Sequence, residues 1–133
     1  MAVMTPFLPN AEKYGPLDSR NMAVDALPWK PTPTPGIDMK VLVQDDETGL
    51  LTALFRWQPG TVLALHEHVE IEQSYVLEGE FEDDDGVYPA GNFAWRPKGH
   101  RHTARSPKGA LVLCFFLKPN KFLGGELDGQ ELK

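Results

Sequence analysis

Several features that mark common protein classes are scarce in this chain of 133 residues. Cys114 is the only cysteine, which excludes an intrachain disulfide and suits a reducing compartment. Basic side chains are outnumbered, with 13 Lys and Arg against 19 Asp and Glu, and the resulting net charge of −6 would repel a phosphate backbone or an anionic membrane surface. We therefore expect neither nucleic acid nor a membrane among the partners of this protein.

Long hydrophobic runs are also missing. The longest uninterrupted apolar run, residues 110–117, is much shorter than the roughly 20 residues that span a bilayer as a helix. Residues 1–10 lack the basic stretch followed by an apolar one that is typical of a secretory signal. These two absences predict a cytoplasmic protein.

Helical periodicity is absent over any useful length, whereas strand signals are frequent. Twelve glycines and twelve prolines favour turns over long helices. Short apolar, β-favouring segments recur between these turns, and the chain length suits a single domain, so we predict an all-β sandwich or small barrel. The predicted strands are 39–43, 50–57, 61–66, 70–77, 92–96, 101–104 and 110–117.

The chain divides into three predicted parts: an arm at 1–37, a barrel at 38–118 and a C-terminal tail at 119–133. Seven prolines lie in the first 35 residues, and each removes a backbone donor, so this proline-rich N-terminal arm is not expected to form a domain. Its apolar residues are predicted to pin it to its own subunit or to a partner, although a partly ordered tail is the alternative. Those residues are Phe7, Leu8, Leu27 and Trp29.

A homodimer is predicted from two features of this layout. The arm carries apolar side chains that need a surface to pack on. The run at 111–117 is apolar enough to be buried on both faces of a sheet.

The residues that can bind a metal or take part in catalysis lie in two segments. In the first, His66 and His68 are two positions apart in a predicted strand, so both imidazoles point to one face. Glu72 can reach the same place from the strand that follows. Gly60 and Gly79 permit the turns at either end.

The second segment brings a third imidazole. Gly91 opens a strand, Pro97 and Gly99 form a tight turn, and His102 begins the next strand. Three nitrogens and one carboxylate oxygen suit iron, manganese, nickel, copper or zinc better than calcium or magnesium. A chance match of all these identities at fixed offsets has a probability on the order of one in 10⁹, so we do not interpret the histidines as ordinary surface or core residues.

Both segments resemble the two signature motifs of the cupin superfamily, except that Ser106 stands where an Asn is common. That difference removes no ligand. The resemblance covers about residues 38–118. It implies a double-stranded β-helix of the jelly-roll type, with one divalent transition metal inside the barrel near one mouth, held by His66, His68, Glu72 and His102.

Within the superfamily, residues 75–81 and 88–91 are similar to two groups of proteins. One group comprises small Fe(II) dioxygenases that act on β-diketones or hydroxyacetophenones, and the other is the cupin domain of zinc-dependent anti-sigma factors. Four protein ligands leave two open positions on octahedral iron but fill the shell of tetrahedral zinc. The identity of the metal therefore separates a catalyst from a structural or sensing site.

Our leading hypothesis is an Fe(II)-dependent dioxygenase that cleaves a carbon–carbon bond of a small enolisable ketone or hydroxyaryl ketone, with that small molecule and dioxygen as its partners. Glu72 would be a metal ligand, the catalytic base for the substrate proton, or both in turn. The alternative is a zinc- or ligand-binding sensor or regulatory module that acts through a partner protein without catalysis. A metal-assisted isomerase, lyase or hydrolase also remains open, on fold-level analogy.

Strand alternation extends the site to a substrate pocket. If the face of His66 is inward, Val62 and Ala64 point into the barrel, and the same argument from Glu72 selects Ser74 and Val76. We expect His100 at the mouth of the pocket and Phe115 among its possible lining residues. The predicted pocket residues are therefore Val62, Ala64, Ser74, Val76, His100 and Phe115.

Three further predictions concern polar residues outside this set. Arg96, Arg101 and Arg105 would either attract an anionic substrate or form a solvated strand edge. The acidic run 83–85 before a glycine is typical of a solvated hairpin tip. Cys114 is expected to be an inert thiol in the core.

Overall fold

The computed structural model describes residues 3–131, which form eleven antiparallel β-strands and two short 3₁₀ turns, Ala11–Lys13 and Val24–Ala26. The predicted all-β jelly-roll fold is confirmed. No helix within residues 3–131 has the length and apolar character needed to cross a membrane. The strands are β1 (Val3–Met4), β2 (Lys30–Pro31), β3 (Ile37–Asp45), β4 (Leu51–Trp57), β5 (Thr61–Glu67), β6 (Glu72–Asp83), β7 (Gly86–Pro89), β8 (Phe93–Arg96), β9 (Arg101–Ser106), β10 (Ala110–Phe116) and β11 (Lys121–Phe122).

The strands join in the order β1-β3-β4-β10-β6-β9-β5-β11, with β2 on β3 and with β7 and β8 on β6. The sheet curls into a half-barrel because β6 belongs to both of its layers. The first part of β6 pairs with β10 and β8, and its last part pairs with β7 and β9. The first layer therefore contains β3, β4, β10 and β8, and the second contains β7, β9, β5 and β11.

Gly79 lies where β6 passes from one layer to the other. Its φ is +68°, and a Cβ at this position would collide with the backbone carbonyl of Gly109. The next residue, Glu80, donates its N–H to that same carbonyl at 3.1 Å. The close approach of the two backbones therefore requires glycine here.

The core lies between the two layers, and β10 shows how it is built. Alternate residues of β10 point inward, and Phe116 packs edge-on against Phe55 of β4 with ring centroids 5.9 Å apart. The intervening side chains point outward, so that Phe115 and Leu117 are 37% and 39% exposed. The prediction that residues 111–117 are buried on both faces is therefore wrong for this chain alone.

The segment predicted as a pinned arm has two short strands on the edge of the first layer. β1 and β2 both pair with β3, at Val3↔Asp45 and Lys30↔Met39. Leu27 is buried, as expected of a pinning residue, whereas Phe7 is 44% exposed. Within the predicted arm, β1 and β2 therefore extend the first layer. In the same way, β11 of the predicted tail extends the second layer through its pairing with β5.

Candidate metal centre

Three histidines meet at one end of the second layer. His66 in β5 is directly opposite His102 in β9 in the strand register. His68 follows the end of β5, where its N–H donates to the carbonyl of His100 at 2.8 Å and its own carbonyl accepts from Gly99 at 2.7 Å. The turn before β9 thus fixes the backbone of His68 beside the two paired histidines.

The ring nitrogens of these histidines are arranged as metal ligands. One nitrogen from each ring lies within 4.8 Å of the others, and Nε2 of His68 is 3.1 Å from Nε2 of His102. Two nitrogens that share an ion at about 2.1 Å are themselves roughly 3.0–3.4 Å apart. Nδ1 of His66 donates to the carbonyl of Ala64 at 2.8 Å and Nδ1 of His102 donates to Asp83 at 2.7 Å, which leaves Nε2 of both rings free to bind an ion. The donor set therefore fits one transition-metal ion.

Burial keeps these imidazoles neutral. Loss of solvent and the neighbouring imidazoles lower the pKa of His66 to about 4 and the pKa of His68 to about 2. The pKa of His102 is also lowered, mainly by burial, although its hydrogen bond to Asp83 acts in the opposite direction. Metal ions bind the unprotonated ring, so the three side chains are in the binding form at neutral pH.

Glu72 lies beside this group but outside it. Its Oε2 is 3.5 Å from Nδ1 of His68, which is the nitrogen that faces away from His102, and its Oε1 accepts from Nδ2 of Asn120 at 3.5 Å. Burial raises the pKa of Glu72 to about 7, so the carboxyl group is close to half-protonated at neutral pH. Its role as a fourth ligand or as a base stays a prediction.

Asp83 is a site residue that the sequence interpretation missed. It is only 5% exposed, and its carboxylate accepts hydrogen bonds from Nδ1 of His102 and from Nη2 of Arg96, each at 2.7 Å. The prediction of a solvated tip is therefore wrong for Asp83. Side chains two positions apart in a strand point to the same face, so the burial of Phe81 would have predicted that Asp83 also points inward.

The three arginines are occupied by acidic partners. Arg96 is buried and forms ion pairs with Asp83 and Asp85. It therefore neither attracts a substrate nor belongs to a solvated strand edge, so both predictions are wrong for this residue. The remaining two pair across the sheet, Arg101 with Glu67 at 3.1 Å and Arg105 with Glu82 at 2.8 Å.

A cavity between the two layers opens beside the histidines. It has about 40 Å³ of free space, which is room for a few water molecules. Glu72, Ser74 and Cys114 contribute polar atoms from the first layer, and burial raises the pKa of the Cys114 thiol well above its usual range. The other lining residues are Ile37, Phe55, Trp57, Leu63, His66, Phe81, His102, Ala104, Val112 and Phe116.

The prediction that Val62 and Ala64 point into the barrel is wrong. Both are exposed, Val62 by 56%, while the alternate residues Thr61 and Leu63 are buried. The cause is a β-bulge in the pairing of β5 with β9, between Leu63 and His66, which reverses the side-chain alternation just before the histidine.

The other predicted pocket residues have three different outcomes. Ser74 lines the cavity and Val76 is buried in the adjacent core. Phe115 points to the outer face of the sheet, so its assignment to the pocket is wrong and its neighbour Cys114 takes that place. His100 stays near the histidine group, with its ring centroid 4.9 Å from that of His102, and its Nε2 is 3.5 Å from Asp85.

The shifted pKa values predict how acid affects the metal-free protein. Between about pH 6.5 and 4.5 the unfolded chain protonates His66 and His68, which stay largely neutral when folded, so stability falls as pH falls. Glu72 acts in the opposite direction, because its raised pKa lets the folded state take up a proton first. These three groups give a difference of about one proton, or about 1.4 kcal/mol of unfolding free energy per pH unit, and the lowered pKa of His102 adds to it.

Urea unfolding of the metal-free protein between pH 6.5 and 4.5 measures this slope. The Glu72→Gln variant removes the opposing group, so its unfolding free energy should fall more steeply, by up to about a further 1.4 kcal/mol per pH unit. A wild-type unfolding free energy that is constant over this range would contradict the prediction.

Structures of known proteins with the same fold include enzymes, a regulator and cupins of unknown function. The chain superimposes on a candidate acetylacetone dioxygenase from Methylibium petroleiphilum PM1 with a TM-score of 0.77 and 24% identity, over 87% of this chain and 88% of the other. An acetylacetone dioxygenase from Acinetobacter johnsonii gives 0.69 and 19%, over 87% and 84%. The anti-sigma factor ChrR of Rhodobacter sphaeroides, solved with SigE, gives 0.60 and 20%, over 71% of this chain and 50% of that one.

These structural similarities are too distant in sequence to establish more than the fold. Comparison of the sequence with family models identifies the family. No curated protein matches the sequence. The family model of the ChrR cupin-like domain, however, matches residues 19–121, which include all the strands from β2 to β10 and the three histidines. The chain therefore belongs to the ChrR cupin-like domain family.

Proposed function

We propose that this cupin is a mononuclear Fe(II) dioxygenase that cleaves a carbon–carbon bond of a small enolisable ketone or hydroxyaryl ketone. The observation that carries the proposal is the convergence of three neutral, buried imidazoles beside a cavity that Glu72 also lines. A set of three histidines leaves open positions on an octahedral ion for a chelating substrate and dioxygen. Likeness to an acetylacetone dioxygenase of the same fold supports this substrate class.

When bound, Fe(II) would supply Lewis acidity toward the two substrate oxygens and the redox chemistry that dioxygen requires. The residues of the chain have separate tasks. Glu72 has a pKa of about 7, which suits a base that takes the acidic C–H proton of the ketone at its Oε2 and holds it. Nδ2 of Asn120 fixes the other carboxylate oxygen. The apolar cavity walls limit the access of bulk water. One oxygen atom of dioxygen ends in each of the two carbonyl-containing fragments.

Oxygen consumption by the iron-loaded protein tests this activity. Protein purified without oxygen and loaded with Fe(II) should consume dioxygen when acetylacetone or a hydroxyacetophenone is added. The Glu72→Gln variant should lose about 10²- to 10⁴-fold of that rate, the usual contribution of a general base. Iron content should be measured on the same samples, because a base that is not a ligand can be replaced without loss of iron.

Zinc-loaded protein is the matched control, since zinc cannot activate dioxygen by electron transfer. Absence of oxygen uptake with every diketone and hydroxyaryl ketone, in protein that holds stoichiometric iron, would remove the basis for the proposal. Equal rates in the Glu72→Gln variant would remove only the role assigned to Glu72.

A binding or sensing module is the second candidate, and the small cavity favours it. Free space of about 40 Å³ holds a few waters but not a diketone unless side chains move. In this alternative, zinc or a small ligand stabilises a domain that acts on a partner protein, and likeness to ChrR supports that class. Tight stoichiometric zinc in the purified protein, with no oxygen chemistry after exchange for iron, would favour this function over the first.

A further inference from the structure

The connection from β10 to β11, residues 117–120, passes from the first layer to the second beside the metal centre. At its start, the N–H of Leu117 donates to the carbonyl of Ile71 at 3.4 Å, just before β6. At its end, Phe122 of β11 is directly opposite His66 of β5, and their ring centroids are 6.4 Å apart. The connection therefore closes the end of the half-barrel next to the histidines.

Asn120 is the residue of this connection that points toward the metal centre. It is only 1% exposed, and its Nδ2 is 3.5 Å from Oε1 of Glu72. Its Oδ1 is also buried, and it has no hydrogen-bond partner within residues 3–131. A buried polar atom without a partner is uncommon in folded proteins, so this oxygen points to a group that binds there.

The residues on either side of Asn120 line a groove on the surface, which we call the outer groove. It has about 220 Å³ of free space, whereas the cavity beside the histidines has about 40 Å³. Asn120 thus lies between the larger space and Glu72, which lines the smaller one. The outer groove is formed by Val69, Lys118, Pro119, Lys121 and Glu131, together with two glycines.

The outer groove is positively charged, although the chain has a net charge of −6. Lys118 and Lys121 both line it, and neither forms an ion pair with Glu131 or with any other residue in the range 3–131. The basic residues from β8 to β10, in contrast, are all paired with acidic ones, such as Lys108 with Glu80 at 3.0 Å. Two unpaired ammonium groups in one groove attract an anion.

We propose that the outer groove binds the carboxylate of a small organic acid whose diketone end reaches the metal. The carboxylate contacts the ammonium groups of Lys118 and Lys121. The ligand passes alongside Asn120, whose Nδ2 keeps its contact with Glu72, while Oδ1 accepts a hydrogen bond from the enol hydroxyl of the ligand or from a water bound with it. That this acid is the substrate rests on the proposed function, whereas the binding site does not.

This arrangement is compatible with the small volume of the cavity. A ligand that extends into the outer groove needs only part of its length inside the cavity, which alone holds a few waters. The carboxylate stays at the surface and keeps part of its hydration, so no unpaired charge is buried among the apolar walls. A neutral diketone of the same length lacks the group that the lysines recognise. The protein should therefore prefer a diketo acid.

Binding to the zinc-loaded protein tests the proposal without oxygen chemistry. The probes are succinylacetone and butyrylacetone, which share one diketone and one chain length and differ in that a carboxylate replaces a methyl group. Calorimetric titration should give succinylacetone a dissociation constant about 10-fold lower than that of butyrylacetone, since exposed charge pairs contribute up to about 5-fold each. The difference should shrink in about 0.5 M salt, which screens exposed charges.

Substitution of the lysines tests their part in this preference. Lys118→Gln and Lys121→Gln should each weaken binding of succinylacetone by about 3-fold, and the double variant should bind both probes equally. Lys121→Arg keeps the charge and should keep the preference. Lys108→Gln is the matched control, because Lys108 is also an exposed lysine but follows the end of β9 that is distant from His102. The affinity for butyrylacetone should be the same in all these variants.

The outcomes separate this proposal from the proposed activity. Equal binding of the two probes by the wild-type protein, or no binding of either, would overturn it. A double variant that retains the full preference would also overturn it, because the carboxylate would then bind elsewhere. A preference that depends on the lysines, in a protein whose iron-loaded form consumes no oxygen with succinylacetone, would support the binding site and contradict only the dioxygenase activity.

Discussion

The His66→Ala variant is expected to lose stoichiometric binding of a divalent transition metal, with an affinity lower by more than about 100-fold. His66 supplies one of three converging ring nitrogens, and two nitrogens hold an ion much more weakly than three. Even residues that merely orient a ligand change affinity 10- to 100-fold, so removal of a ligand should exceed that range. Competition with a chromophoric chelator, using Co²⁺ or Zn²⁺, measures the affinity, and the Co²⁺ absorption spectrum reports the number of ligands.

His100→Ala is the matched control for this experiment. Its ring lies 4.9 Å from that of His102, so it shares the surroundings of the site, but it is not one of the three converging residues. The control should keep an affinity within a few-fold of wild type. If the two variants bound metal equally well, the assignment of His66 as a ligand would be wrong.

The Asp83→Asn variant is expected to have two measurable defects. Metal affinity should fall about 10- to 100-fold, because the carboxylate that orients and polarises His102 is replaced by a neutral amide. The free energy of unfolding should fall by about 3–5 kcal/mol, since Arg96 remains buried without its closest charged partner. Chelator competition and urea unfolding measure the two effects separately.

Asp84→Asn serves as the control for this variant, because Asp84 is the next residue in the chain and is exposed. It should change neither quantity appreciably. A loss of stability in Asp83→Asn with unchanged metal affinity would mean that Asp83 supports the fold through Arg96 but does not position His102.

The sequence was sufficient for seven of the eleven strands within residues 3–131 and for the three histidines, because these depend on local rules, whereas the short strands β1, β2, β7 and β11 were not predicted. Alternation in β4 and β10, together with glycine and proline turns, predicts the sheet. The spacing of His66 and His68 predicts a shared face. His68 lies just beyond β5, but its backbone hydrogen bonds with Gly99 and His100 hold its ring 5.2 Å from that of His66.

What sequence reasoning missed depends on contacts between distant residues. The bulge in β5 arises from its pairing with β9, and nothing in the sequence between Leu63 and His66 marks it. Asp83 becomes buried because Arg96 and His102, 13 and 19 positions later, provide the charge and the donor that it needs. The proline-rich segment was predicted to be pinned through apolar side chains, and its two short strands were missed because they depend on the edge of β3 for hydrogen-bond partners.

The path of β6 through both layers has a mechanical consequence. A single strand carries Glu72 at its start and Asp83 at its end, so the two carboxylates that approach the imidazoles cannot shift independently of the layers that they join. A bound ion would therefore tie the two layers together through β6, and removal of the ion would lower the stability of both layers.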